Sequence, residues 1–268
     1  MWQELRVDMS QELCFAEDAL SDYDAVSIST AGAALRSDPH AIAAQCAQLA
    51  AKYSTVKLEL PVLFQVDMPW LDRLLAALEN LPVILVVNDW GTLYRLAPRS
   101  SLTPRVLHAG RWLSYSFYNS PGHSNIVAAD DGSWNSYNLS NESTLAALAE
   151  LGVTGIEVDA HSDANAELAQ WRRGGFVVTA FVTQPRASLL RRSAAQRGLV
   201  SYGEVVELTP RERWVRFDDA FVPISPAVAV QLGQLCLRGD TVTRRMSVAT
   251  TAISGADAVC TEWQWAQK

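Results

Sequence analysis

Apolar and polar positions along this chain alternate between strand-like runs and helical stretches. The run that organises them is Pro82-Val83-Ile84-Leu85-Val86-Val87-Asn88-Asp89-Trp90-Gly91. Its unbroken Val/Ile/Leu segment predicts a strand buried on both faces. Asn88 and Asp89 then stand at the carboxyl end, the edge where parallel sheets present ligands. A turn or two of helix follows to Leu96. Phe176 to Val182 forms a second continuous apolar strand, while Ala25 to Thr30 and Val56 to Leu60 alternate with period two, as strands do.

Helical pattern separates these strands. Ser37-Asp38-Pro39 is a helix start, with proline in the first turn, and His40 to Tyr53 is alanine-rich. Leu71, Leu74, Leu75 and Leu78 recur at helical spacing after Met68-Pro69-Trp70. Asn141-Glu142-Ser143-Thr144 caps a helix closed by Gly152, strand Val153 to Asp159 follows, and then a helix from Ala164 to Arg173. Glu12 to Leu20 also reads as helix, and Val106 to Gly110 and Trp112 to Asn119 as two short strands or as one strand and its exit. Residues 120–141, rich in Ser, Asn, Asp and Gly, form a long insert. Beyond Ser193 the pattern turns to short strands at 205–208, 214–217 and 220–224, a helix from Pro226 to Leu237, and strand-like residues from Thr241 to Ala249.

Some six or seven strand–helix units predict a mainly parallel sheet with helices outside. The fold class expected is α/β, a TIM-barrel-like domain over residues 1–200, with an incomplete or irregular barrel left open as a variant. A β-rich C-terminal section over 201–268 would pack on it. Neither a GxGxxG motif nor a P-loop is present.

Composition narrows the function classes. The 268 residues are 49% hydrophobic and 19% charged, which suits a large core and excludes intrinsic disorder. A net charge of −7 argues against general nucleic-acid binding. No apolar run reaches the length of a membrane span, and no signal peptide is apparent, so a cytoplasmic location is expected. Cys14, Cys46, Cys236 and Cys260 are widely spaced with no CxxC pair, as ordinary reduced thiols are.

The candidate chemistry lies at strand ends. Glu157, Asp159 and His161 share one face at period two, a carboxylate–carboxylate–imidazole trio suited to acid–base or metal-assisted hydrolase or lyase chemistry. The same residues could simply end the strand and cap the next helix. Asn88 and Asp89 are ligand-binding candidates whose types also serve as turn and helix caps. His108, beside Gly110, could point into the same mouth. Arg186, after Gln184-Pro185, could grip a carboxylate or phosphate with its fork of donors. Trp112, Trp134 and Trp171 are pocket, interface or core residues.

The order of motifs resembles the U32 peptidase-like family. The resemblance spans residues 24–225 and rests on four stretches: Asp24-Ala25-Val26-Ser27-Ile28-Ser29 with Leu35-Arg36; Val86 to Leu93; Phe117-Tyr118-Asn119; and Leu148 to Glu157. It implies a TIM-type barrel and adds Asn119 to the ligand-binding candidates. Members are linked to peptide hydrolysis, RNA hydroxylation or oxygen-independent ubiquinone hydroxylation by paired subunits. Several carry an iron–sulfur cluster on four cysteines that follow the strand matching Phe176 to Val182. Here Thr183 to Ser193 contains no cysteine. The resemblance therefore implies a divergent member with no cluster and no other cofactor, acting as accessory subunit to a related U32-like partner. A non-catalytic barrel holding a small-molecule or peptide ligand is the remaining alternative.

Overall fold

In the computed structural model the described residues are 1–8, 23–29, 38–97, 106–114, 137–161, 164–182 and 253–262, plus seven strand segments between 186 and 244. The side chains of residue 8, of 186–244 and of 261–262 lie outside that description.

Eight parallel strands close into a barrel. They are β1 (Trp2–Asp8), β2 (Ala25–Ser29), β3 (Thr55–Glu59), β4 (Val83–Val87), β5 (Leu107–Ala109), β6 (Val153–Asp159), β7 (Val177–Phe181) and β15 (Ala258–Glu262). The order around the barrel follows the chain from β1 to β7, with β15 inserted between β7 and β1. Helices α1 (Pro39–Ala50), α2 (Met68–Ala77), α3 (Trp90–Leu96), α4 (Glu142–Glu150) and α5 (Asn165–Arg173) lie between strands. The TIM-barrel-like expectation is met, and the barrel is complete, with one register shift between Leu107 and His108 where β5 meets β6.

The local chemistry of these elements follows the sequence. Asp38 caps α1, accepting from His40 N at 3.2 Å ahead of Pro39. In α2, Leu71 and Leu74 are fully buried. Gly152 adopts φ +78°, the left-handed geometry that ends α4 and turns the chain into β6. The apolar core lies between strands and helices. Trp171 of α5 belongs to it and meets the Tyr137 ring edge-on at 5.3 Å.

Between β7 and β15 the chain forms two antiparallel sheets. One joins β11 (Ala220–Pro223), β10 (Glu212–Phe217) and β9 (Glu204–Thr209). The other runs β12 (Val230–Leu232), β13 (Leu235–Arg238), β14 (Thr241–Arg244) and β8 (Arg186–Leu189). The helix expected over Pro226 to Leu237 is thus replaced by β12 and β13. A short Val/Leu-rich run cannot be told from helix by periodicity alone. Of the two readings open for the stretch after Val106, the described residues give one strand and its exit: Arg111 to Ser114 is a turn, with Leu113 N and Ser114 N both donating to Gly110 O. The eighth barrel strand, Ala258–Glu262, comes from the section that the sequence pattern set apart as C-terminal. The expected helix at 12–20, Cys14, Asn119 and Trp134 lie outside the described residues.

Candidate functional site: a charged barrel interior

TIM-type barrels usually fill their interior with branched aliphatic side chains. Here the inward positions of β1, β3 and β6 carry Glu4 and Arg6, Lys57 and Glu59, and Glu157 and Asp159, all buried. Contacts that skip neighbouring strands show that these side chains meet across the lumen. Lys57 Nζ on β3 lies 2.6 Å from Glu4 Oε2 on β1 and 3.3 Å from Glu157 Oε1 on β6. It also donates to Thr179 Oγ1 on β7 at 2.9 Å.

This lysine is the centre of the lower tier. It is 1% exposed, flanked by Glu4 and Glu157 at 0% and 2%. Ser27 donates its hydroxyl to the other oxygen of Glu4. Burial by itself would push the Lys57 ammonium down, but the charges of Glu4 and Glu157 outweigh it and hold its pKa above the usual range. Burial raises the Glu157 carboxyl to about 7; Lys57 opposes that rise, and the negative charges of Glu4 and Glu59 add to it. Cys260 on β15, fully buried, has its thiol pushed well up by burial and by both glutamates.

His108 completes this tier. Burial first, and the Lys57 charge second, lower its pKa to about 3, so the imidazole is neutral. Its Nδ1 is buried without a hydrogen-bond partner. The ring occupies the space in front of Gly155 on β6, where a Cβ would stand 2.5 Å from Cδ2 and Cε1.

The upper tier lies at the carboxyl ends of the strands. Arg6 Nη2 donates to Ser29 Oγ at 2.6 Å and pairs with Glu59. Asn88 Nδ2 donates to Glu59 Oε1 at 2.9 Å and to Leu60 O at 2.8 Å, while its Oδ1 accepts from Trp112 N at 3.2 Å. Gly110 makes room for it, since a Cβ there would be 2.8 Å from Asn88 Cγ. Arg111, in the turn after β5, donates from Nη1 to Asp159 Oδ1 at 2.8 Å. The guanidinium carbons of Arg111 and Arg6 lie 4.0 Å and 5.6 Å from the centre of the Phe181 ring on β7.

The structure thus brings Asn88, His108, Glu157 and Asp159 into one buried interior. Asp89 is placed otherwise. Its carboxylate caps α3 by accepting from Thr92 N at 2.7 Å and Thr92 Oγ1 at 2.8 Å, and it holds the preceding loop through Leu63 N at 3.1 Å. His161 stands two residues beyond β6 and is partly exposed, whereas Glu157 and Asp159 are sealed within. The backbone of Arg186 opens β8, and its side chain lies outside the described residues.

Sequence reasoning missed Glu4, Arg6, Lys57, Glu59 and Arg111. The period-two alternation of Val56 to Leu60 was legible, but alternation does not say which face is wet. Cys46 and Cys260 are free and buried, far apart in role: Cys46 sits on α1, where burial raises its thiol to about 12. Among the described residues no group of three or more His, Cys, Asp or Glu side chains could hold a metal ion. Among them, too, no helix is long and apolar enough to cross a membrane. No family model, no curated protein and no solved structure matches the chain.

Proposed function

We propose that the chain is a U32-like barrel protein without an iron–sulfur cluster, serving as accessory subunit to a related enzyme and holding a small ligand at the carboxyl end of its barrel. One observation carries the non-catalytic part of this reading. The groups that would do acid–base work there are engaged with one another: Asp159 with Arg111, Glu59 with Arg6 and Asn88, and Asp89 with the start of α3. A general acid or base must reach the proton it transfers, and Glu157 lies beneath this layer with 2% exposure. The motif order that resembles the U32 peptidase-like family supports the partnership.

The test is purification of the tagged chain from its native cells under anaerobic conditions, with mass spectrometry and iron and sulfide assays. A cluster-bearing U32-like barrel should co-purify in stoichiometric amount, and the chain alone should hold no stoichiometric iron–sulfur. Recovery of the chain by itself, or of a cluster on the chain itself, would overturn the reading.

A further inference from the structure

Among the described residues, the charged side chains lining the barrel do not balance. Arg6 pairs with Glu59, Arg111 with Asp159, and Lys57 lies closer to Glu4, at 2.6 Å, than to Glu157, at 3.3 Å. The three cations, Arg6, Lys57 and Arg111, thus face four carboxylates, Glu4, Glu59, Glu157 and Asp159, and Glu157, the more distant of the two that share Lys57, is the one in excess. An ionised carboxylate without a compensating charge is expensive to bury, and such groups take up a proton instead.

We propose that Glu157 is a proton-binding site at the centre of the barrel, held as a neutral carboxylic acid, and that loss of its proton loosens the barrel as pH rises. The groups facing it fix this assignment. From β1 come Glu4 and Arg6, from β3 Lys57 and Glu59, from β5 His108, from β7 Thr179 and from β15 Cys260. Asp159, with its partner Arg111, is on the same strand. His108 is neutral and supplies no positive charge, and burial keeps the Cys260 thiol protonated. Lys57 Nζ donates to Glu157 Oε1, which a neutral carboxyl accepts through its carbonyl oxygen. When the proton leaves for solvent, two carboxylates share one ammonium inside a closed barrel.

The sign follows from the direction of the shift. The folded protein holds this carboxyl at about 7, above its ordinary 4.5. The stability it contributes is complete below the ordinary value and is lost as pH rises through about 7. This inference stands apart from the accessory-subunit reading, since it concerns the isolated chain.

The experiment is a pH titration of the whole chain carrying carbon-13 at its glutamate carboxyls, followed by NMR. One resonance should titrate near neutral pH in the wild type and vanish in Glu157→Gln. In Glu4→Gln that resonance should move to a lower midpoint, because Lys57 then serves Glu157 alone. Urea midpoints of the wild type should fall from pH 6 to pH 8 by more than those of Glu157→Gln. If every glutamate is ionised at pH 6, or if the neutral carboxyl survives in Glu157→Gln, the proposal is wrong. Should Glu157→Gln not fold, the wild-type resonance and its movement in Glu4→Gln decide the matter.

Discussion

Gly155→Ala puts a methyl group where His108 now lies. The added Cβ would stand 2.5 Å from Cδ2 and Cε1 of the ring, whereas non-bonded carbons sit best about 3.5–4.0 Å apart. The ring must therefore retreat by about 1 Å. It is 3% exposed, and the charged tier around Lys57 lies beside it. Overpacking of this kind costs about 1–3 kcal/mol. Gly155 is not in the left-handed region, so alanine is strained only by contact. Its stiffer unfolded chain returns about 0.4–1 kcal/mol. The net loss should be about 1–2 kcal/mol, read as a lower urea midpoint at unchanged slope by circular dichroism and tryptophan fluorescence. His108→Ala relieves the clash, so the double variant should be more stable than the two single changes predict by about 1 kcal/mol. An unchanged midpoint for Gly155→Ala, or strict additivity of the pair, would refute the packing of His108 on Gly155.

Two further outcomes test the ion pairs and the cap. Lys57→Met strips the cation from Glu4 and Glu157 and should cost about 3–5 kcal/mol, measured by urea unfolding at pH 7. Restoring neutrality with Glu4→Gln in the same chain should recover much of that loss, because Glu157 without Lys57 stays protonated, and no recovery would mean that packing around Lys57, not charge, sets the cost. Asp89→Ala should destabilise by about 0.5–2 kcal/mol and speed amide exchange at Thr92 and Leu63, with Asp89→Asn milder; exchange unchanged at both amides would remove the cap from the account.

The fold was legible where one physical rule governed a segment. The run Val83 to Val87 can satisfy its apolar side chains only as a strand covered on both faces, and it is β4. Asp38-Pro39 could start only a helix, and it starts α1. The interior was not legible because period two is symmetric. Lys57 and Glu59 on alternate positions mark one polar face without saying where it points, and they point inward to partners on β1 and β6 that lie far away in sequence. Charge pairing across a lumen leaves no local trace. Arg111 was hidden for another reason: it falls between the two stretches read as possible strands, and its partner Asp159 comes from β6. At Asp89 both readings were open from the residue type alone, and the amides of Thr92 and Leu63 now occupy its carboxylate.

The position of β15 between β7 and β1 has a consequence for synthesis on the ribosome. β1 can pair on one side with β2 as soon as that emerges, but its other edge, and that of β7, stay open until β15 follows both antiparallel sheets out. Until then β1 to β7 form an open ribbon whose inner face carries many acids and bases where aliphatic side chains are usual. Open edges with apolar inner faces invite misassembly between nascent chains. A ribbon studded with Glu4, Arg6, Lys57 and Glu59 stays hydrated and repels wrong partners until closure desolvates it, so the polar lumen also safeguards the slow, long-range final step.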